Sequence, residues 1–169
     1  MEKTVIRPMI KTDVKAFSDA FAAQGWNKKT ATLEKYYREQ YEGRRKVLVC
    51  EYEGEVAGYL TLLPDAPEGP FKGMNIPEVV DFNVLKKFRG NGLGWALMDA
   101  VEALAKKTSD EICLGVGLYT DYGTAQRMYV KRGYIPDGSG IWYGGDAPLE
   151  PGAPCVNDDD LVLYLSKKL

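Results

Sequence analysis

Histidine is absent from this chain of 169 residues. A Ser–His or Cys–His nucleophile pair is therefore excluded, as is a zinc site with histidine ligands. Cysteine is scarce as well, because Cys50, Cys113 and Cys155 lie far apart and lack C-x-x-C spacing. We therefore expect no metal centre, and proton transfer must use carboxylates, tyrosines, lysines, a thiol of lowered pKa, the backbone or water.

Long apolar runs and an excess of one charge are also lacking. No run approaches the length that spans a membrane, and the N-terminus has no signal-peptide pattern. The chain has 22 basic and 24 acidic residues, scattered along its length, so nothing favours nucleic acid. The length suits one core. The sequence predicts a single cytoplasmic domain, residues 1–169, that binds neither membrane nor nucleic acid.

Glycine, in contrast, is concentrated at one informative place. Residues 89–94 read Arg-Gly-Asn-Gly-Leu-Gly, between an apolar strand that ends at Val84 and an amphipathic helix that runs to about Lys107. Unpaired N–H groups and the positive end of a helix dipole meet at such a turn, and they bind phosphate groups. Arg89 adds a permanent positive charge. The turn predicts a phosphate-binding loop, and the simpler alternative is a glycine-rich turn without a ligand.

The glycine spacing excludes two common phosphate loops. A dinucleotide fingerprint, G-x-G-x-x-G, requires a third glycine where this chain has Trp95 or Leu97, and a P-loop occurs nowhere. The pattern present is Arg-x-x-Gly-x-Gly. A second segment, Ala-Gln-Arg-Met-Tyr-Val-Lys-Arg-Gly-Tyr at residues 125–134, follows after another apolar strand. Together the two segments resemble the GNAT superfamily of N-acetyltransferases, in which the first motif binds pyrophosphate and the second carries a tyrosine towards the thioester sulfur.

The resemblance implies acetyl-CoA as co-substrate and assigns its contacts. Backbone N–H groups of the loop would hold the pyrophosphate, and the backbone of the strand before it would pair with the pantetheine arm. The Val84 N–H would lie near the thioester carbonyl, where it stabilises an oxyanion. The cofactor-binding residues predicted in this way are Phe82, Asn83, Val84, Arg89, Gly90, Asn91, Gly92, Leu93, Gly94, Tyr122 and Ala125.

Two catalytic residues follow from the same resemblance. Tyr129 is predicted as the general acid, because a phenol is protonated at neutral pH and matches a leaving thiolate. Glu78 is six residues before Val84, where histone-acetylating members carry their general base. Asp81 and ordered water are the alternatives to Glu78. A covalent cysteine route is disfavoured, since no thiol lies in a motif, although Cys155 lies in a Pro-rich loop.

The chain departs from the family pattern at two places. Tyr122 stands where an asparagine often contacts the pantetheine, so we expect that a stacking contact replaces that hydrogen bond. Lys86 stands where proline is common, which affects only backbone shape.

The order of elements predicts a mixed α/β (α+β) fold. Strands are expected over residues 4–7, 46–52, 56–63, 78–84, 112–118, around 134 and 160–165. A first helix is expected after an N-cap at Thr12, and three more helices over residues 33–41, 93–107 and 123–132. The family resemblance implies a mostly antiparallel sheet of six or seven strands, separated between the fourth and fifth strands, with about four helices.

The acceptor is predicted only as a primary amine on a small molecule or a peptide. Aromatic and acidic side chains outside the motifs are suited to a cationic amine; they are Trp26, Tyr36, Tyr37, Phe71, Trp142, Tyr143 and residues 158–160. The sequence leaves a homodimer open. The alternative functions are a non-catalytic acyl-CoA sensor and an interaction module.

Overall fold

The computed structural model describes residues 3–169 and contains seven strands and four α-helices. Three-residue 3-10 turns precede the third and fourth helices. The strands are β1 (Thr4–Pro8), β2 (Lys46–Tyr52), β3 (Glu55–Leu63), β4 (Glu78–Val84), β5 (Glu111–Gly117), β6 (Ile135–Tyr143) and β7 (Leu161–Lys168), and the helices are α1 (Lys11–Ala23), α2 (Thr30–Tyr41), α3 (Leu93–Ala105) and α4 (Gly123–Lys131).

The strands form one mixed sheet in the order β1-β2-β3-β4-β5-β7-β6. The pairing of β4 with β5 is parallel, whereas β1 with β2, β2 with β3, β5 with β7 and β6 with β7 are antiparallel. The parallel ladder contains only two residue pairs, Glu78 with Cys113 and Val79 with Leu114. This short ladder agrees with the predicted separation between the fourth and fifth strands, and the mixed α/β fold is confirmed.

The hairpin of β2 and β3 shows how closely local sequence sets the strand bounds. Tyr52 pairs with Glu55, which leaves a two-residue turn of Glu53 and Gly54. Both turn residues have positive φ, 53° and 86°. This left-handed pair matches the right-handed twist of the flanking strands. The predicted hairpin is therefore confirmed, with β3 beginning one residue earlier than expected.

The predicted N-cap of α1 is wrong. The helix begins at Lys11, so Ile10 is the N-cap and Thr12 lies inside the first turn. The Asp13 carboxylate accepts a hydrogen bond from the Ile10 N–H at 2.8 Å and another from the Arg7 guanidinium at 2.7 Å. The acidic side chain in the first turn thus replaces a hydroxyl cap, because it satisfies a free N–H and favours the helix dipole.

The chain forms two compact units. The first contains the residues up to Leu63 together with Val80–Leu104, and the second contains Pro64–Val79 and Ala105–Leu169. Strand β4 contributes to both, since Glu78 and Val79 belong to the second unit. The single domain over residues 1–169 stays a prediction. Within residues 3–169, no helix is long and apolar enough to cross a membrane, and no group of three metal-ligating side chains comes together.

Candidate functional site

The glycine loop lies in the first unit, between β4 and α3. Gly90 and Gly92 have φ of +83° and +76°, and a Cβ at either position would meet no protein atom within 4 Å. Both glycines are thus required by the backbone and leave open space above the loop. The first helical bond near the loop runs from the Ala96 N–H to the Gly92 carbonyl. The N–H groups of the first turn have no carbonyl partner within the helix, so they are available to an anionic ligand.

The side chain of Asn91 braces this loop. Its amide donates to the Phe88 carbonyl at 3.0 Å, and the Tyr52 hydroxyl donates to its side-chain oxygen at 3.2 Å. A ligand contact by Asn91 would therefore use the backbone N–H. Leu93 and Gly94, the first two residues of α3, would contribute in the same way.

Arg89 connects the loop to the end of β4. Its Nε donates to the Val84 carbonyl at 3.2 Å, and its guanidinium lies 5.6 Å from the centre of the Trp26 ring. The Lys86 ammonium lies 5.2 Å from the same ring. Arg89 is exposed, so its charge is available to an anionic ligand. Trp26 therefore contacts two cations beside the loop, and its place at an acceptor site stays a prediction.

The last three residues of β4 are half-buried and closely packed against β3. An ideal Cβ at Gly58 would lie 2.7 Å from the Asn83 carbonyl oxygen and 3.2 Å from the Val84 Cα. The Leu85 N–H donates to the Ala57 carbonyl at 2.9 Å. The backbone of Phe82, Asn83 and Val84 is therefore fixed at the place where the thioester contacts are predicted.

Asp81 interrupts β4 with a left-handed backbone, φ +53°. Its carboxylate accepts four hydrogen bonds. Oδ2 accepts from Lys28 Nζ at 2.5 Å, from the Tyr36 hydroxyl at 2.9 Å and from the Tyr59 hydroxyl at 2.8 Å. Oδ1 accepts from Asn83 Nδ2 at 2.6 Å. Burial, and next the charge of Asp81, raise the pKa of both tyrosine hydroxyls. The tyrosines therefore stay protonated and act as donors to this carboxylate.

Glu78 lies in the second unit, in a different environment. Only 6% of its surface is exposed. Burial, and next the negative charge of Glu68, raise the pKa of Glu78 to about 7. Burial and the same two carboxylates also raise the pKa of the Tyr164 hydroxyl. A carboxyl group that titrates near neutral pH can both take up and release a proton in that range, as a general base requires.

Tyr129 is also 6% exposed and belongs to the second unit. Gly133, with φ +92°, ends α4 in the left-handed conformation, and the Tyr134 N–H returns to the Tyr129 carbonyl at 3.0 Å. The two tyrosine rings lie 5.8 Å apart. The Gly-Tyr pair of the second motif thus fixes the position of Tyr129. Burial raises the pKa of its hydroxyl, which keeps it protonated.

Tyr122 precedes α4 and packs over the end of β5. A Cβ at Gly117 would lie 2.3 Å from the Tyr122 ring, so the ring occupies the space that this glycine leaves. The hydroxyls of Tyr122 and Tyr119 both donate to Asp159 Oδ1, at 2.8 and 2.6 Å. Tyr122 is therefore held by side chains of its own unit. Its contact with pantetheine, like that of Ala125 in the first turn of α4, stays a prediction.

The other predicted acceptor residues divide between the units. Phe71 and Trp142 belong to a buried cluster with Tyr164, so they are core residues of the second unit. Tyr36 belongs to the first unit and contacts Asp81. Tyr37 and Tyr143 are half-buried. The acidic run at residues 158–160 is used internally, since Asp158 accepts the Asp160 N–H and Asp159 accepts the two hydroxyls.

Four side chains around the predicted carboxylates were missed by the sequence reasoning. Lys28 and Tyr59 contact Asp81, and Glu68 and Tyr164 interact with Glu78. None of the four lies in a motif or at a spacing that points to its partner. Their separation from Asp81 or Glu78 along the chain ranges from ten residues to more than eighty. Only the tertiary structure brings them together.

Comparison with known proteins gives a family for most of the chain. The model of the acetyltransferase (GNAT) family matches residues 13–134. An aminoglycoside 2'-N-acetyltransferase of Mycolicibacterium fortuitum is 32% identical over 83 residues, which is 48% of this chain and 37% of that relative. The chain thus matches little more than a third of that relative's length.

Solved structures share the whole fold at low identity. An N-acetyltransferase from Staphylococcus aureus Mu50 is similar with a TM-score of 0.72 and 16% identity, over 99% of both chains. The acetyltransferase yncA from Salmonella typhimurium, solved with acetyl-CoA, has a TM-score of 0.67 and 19% identity, over 99% of this chain and 94% of that one. At these identities the similarity establishes the fold.

Proposed function

Because the chain belongs to the GNAT family of acetyltransferases, we propose that it is an N-acetyltransferase that moves an acetyl group from acetyl-CoA to a primary amine. The amine attacks directly in a ternary complex. The observation that carries this proposal is the loop from Arg89 to Gly94, where two left-handed glycines, an exposed arginine and a helix start face open space. One neighbour in the same fold, yncA, was solved with acetyl-CoA.

The loop fits a pyrophosphate through its backbone. The N–H groups of Gly90 to Gly94 supply neutral donors at the positive end of α3, and Arg89 supplies the charge. A side chain at Gly92 would fill this cradle of N–H groups, since the space above it is open. Phe82 and Asn83 would add backbone hydrogen bonds along the pantetheine arm, and Tyr122 and Ala125 are the remaining predicted contacts of the cofactor. No residue of this set needs a metal ion.

Bound acetyl-CoA supplies an activated acetyl group, and the protein supplies the oxyanion contact and the proton transfers. The Val84 N–H stabilises the negative charge that develops on the thioester oxygen. The close packing of Asn83 and Val84 on Gly58 keeps this donor from moving. A donor that is already oriented needs no rearrangement when the charge forms, so it lowers the barrier.

Glu78 is the preferred base, reached directly or through water. An acceptor amine is mostly protonated at pH 7 and must lose a proton before it attacks. Glu78, with its pKa raised to about 7, is ionised to a useful degree and still basic enough to take that proton. Asp81 is less suited to this role, because four donors already occupy its carboxylate.

Tyr129 is the proposed acid for the departing thiolate. Its hydroxyl is protonated at neutral pH, and burial strengthens that preference. A neutral donor also avoids the cost of burying a charge before the reaction begins. The acceptor itself is a primary amine of a small molecule or a peptide; the named activity of the Mycolicibacterium relative is consistent with a cationic small molecule.

Removal of the Arg89 guanidinium should weaken coenzyme A binding. Loss of a charge-assisted hydrogen bond costs about 1.5–3 kcal/mol, so Arg89→Ala should raise the Kd for coenzyme A roughly 10- to 100-fold. Isothermal titration measures this directly. Arg38→Ala is the matched control, because Arg38 is an exposed arginine on α2. Equal affinities of Arg89→Ala and the parent would refute the phosphate role of Arg89.

A side chain in the glycine cradle should have a similar effect by a different cause. Gly92→Val places a branched side chain where the phosphate would lie and strains a backbone at φ +76°. Gly43→Val is a close control, because Gly43 also has φ +76° with no atom within 4 Å of its Cβ position. Both variants should lose similar stability in thermal unfolding. Only Gly92→Val should lose coenzyme A binding, and equal binding by both variants would exclude the cradle.

A further inference from the structure

The Asp81 carboxylate is a cation site that the protein fills with its own lysine. Lys28 lies in the connection between α1 and α2, and its ammonium is 2.5 Å from Asp81 Oδ2 and 5.9 Å from the centre of the Tyr59 ring. A carboxylate beside an aromatic face is the environment that recognises an ammonium group. All these residues belong to the first unit.

The walls of this site are rigid. Tyr59 is fully buried and packs edge-on against Phe17 and Phe21, with ring centres 5.1 and 6.2 Å apart. Tyr36 is held by the Arg45 guanidinium, 4.4 Å from its ring. The hydroxyls of Tyr36 and Tyr59 both donate to Asp81 Oδ2, so the Asp81 carboxylate stays in place whatever cation occupies the site.

The occupant, in contrast, is replaceable. The side chains of Lys28 and Asp81 are 24% and 15% exposed, so solvent reaches the pair. Lys28 is carried by residues 24–29, which lie between the helices rather than within one. A long, flexible lysine can give way to the ammonium group of an acceptor, because the exchange leaves a cation on the carboxylate and solvent reaches the released Lys28.

The position of Asp81 along β4 indicates which cation would replace the Lys28 ammonium. Asp81 and Val84 are three residues apart, so their Cα atoms are separated by at most about 11 Å. Asp81 also adopts a left-handed backbone in mid-strand, a conformation that is uncommon outside glycine and clusters at active and binding sites. The anionic group is thus within reach of a molecule whose other end reacts beside Val84.

We propose that Asp81, with Tyr36 and Tyr59, binds the second ammonium of an acceptor that carries at least two amino groups, and that Lys28 occupies this site until the acceptor displaces it. The inference rests on the proposed function, because it takes the reacting amine to lie near Val84. It deepens that function by naming the substrate class: a short di- or polyamine, or another small molecule with two spaced cations, rather than a simple monoamine.

Cadaverine and pentylamine test the proposal, because they differ only in the second amino group. The parent should have a kcat/KM for cadaverine about tenfold above that for pentylamine, the effect of one hydrogen bond to a charged group. Asp81→Asn should remove this preference. Asparagine adopts positive φ at least as readily as aspartate, so this variant removes the charge and keeps the backbone.

Lys28→Met is the decisive variant. If Lys28 competes with the acceptor, its removal should lower the KM for cadaverine about fivefold and leave that for pentylamine unchanged, since the site no longer has to be vacated. Lys15→Met is the control, because Lys15 forms an exposed ion pair with Asp19 on α1, also at 2.5 Å. A KM for cadaverine that stays the same or rises in Lys28→Met would overturn the proposal and leave the ion pair a purely structural contact.

Equilibrium binding separates this proposal from the proposed function. Titration of cadaverine into Lys28→Met without acetyl-CoA should show binding that the double variant Lys28→Met/Asp81→Asn lacks. Such binding in a protein that acetylates no amine would retain the cation site and refute the acetyltransferase. Acetylation of both amines with no preference, and no binding of cadaverine to Lys28→Met, would refute the cation site and retain the acetyltransferase.

Discussion

Replacement of Tyr129 by phenylalanine is expected to lower kcat about 10²–10⁴-fold, the contribution of a positioned acid. Coenzyme A affinity should stay at the parental value, because the hydroxyl is needed only when the thiolate departs. The ring remains in place, packed beside Tyr134, so the fold should be preserved. Steady-state kinetics with a good acceptor, together with coenzyme A titration, measures both quantities.

Tyr134→Phe is the control for this prediction. It removes a hydroxyl from a fully buried neighbouring ring, 1% exposed, without touching the proposed acid. Single-turnover measurements show whether product release hides the chemical step. A single-turnover rate for Tyr129→Phe equal to that of the parent would remove Tyr129 from the mechanism.

Glu78→Gln should lower kcat/KM for a high-pKa amine about 10²–10⁴-fold near neutral pH. The amide cannot accept the proton, and the amine is mostly charged at this pH. The rate should partly recover as the pH rises, because solution then supplies neutral amine. Retention of parental activity between pH 6 and 9 would reject Glu78 and favour a route through water alone.

Glu68→Gln is an informative companion variant. The charge of Glu68 contributes to the raised pKa of Glu78, so its removal should lower that pKa. The acidic limb of the kcat/KM profile should then move to lower pH, with little change at its maximum. If Glu68 has only a structural role, the acidic limb of the kcat/KM profile should stay at the same pH in Glu68→Gln.

The same pKa shift predicts how Glu78 affects stability. The pKa of Glu78 is raised from 4.5 to about 7 in the folded protein, so the folded state binds the proton more tightly than the unfolded state. The stability that this proton gives is complete below pH 4.5 and is lost as the pH rises to about 7. At pH 8 the Glu78→Gln variant should therefore be more stable than the parent, with a free energy of unfolding up to about 3 kcal/mol higher. At pH 4 the two free energies of unfolding should agree. Urea unfolding at both pH values measures this difference.

The local elements of the fold were predictable because short-range chemistry determines them. The bounds of β2 and β4 follow from apolar runs between turn residues, and the glycine loop follows from a backbone that only glycine adopts readily. The first turn of α1 was the exception. There the buried Asp13 carboxylate, shared with Arg7, replaced the expected threonine cap.

The environment of each carboxylate was not predictable from its own segment. Asp81 resembles an ordinary strand residue in the sequence, but its backbone is left-handed. Its partners Lys28 and Tyr59 come from segments 53 and 22 residues away. The raised pKa of Glu78 depends on burial and on Glu68. Such contacts arise only when the chain folds, since no periodicity or spacing encodes them.

The most direct test of the central claim is the release of free coenzyme A thiol when the purified protein is mixed with acetyl-CoA and an amine panel that includes cadaverine, an aminoglycoside and a peptide with a free N-terminus. Mass spectrometry of the amines accompanies it. We expect thiol release and acetylated amine in equal amounts, with Glu78→Gln and Tyr129→Phe inactive or nearly so. Tight binding of acetyl-CoA without turnover of any amine would contradict the account and identify a sensor instead of an enzyme.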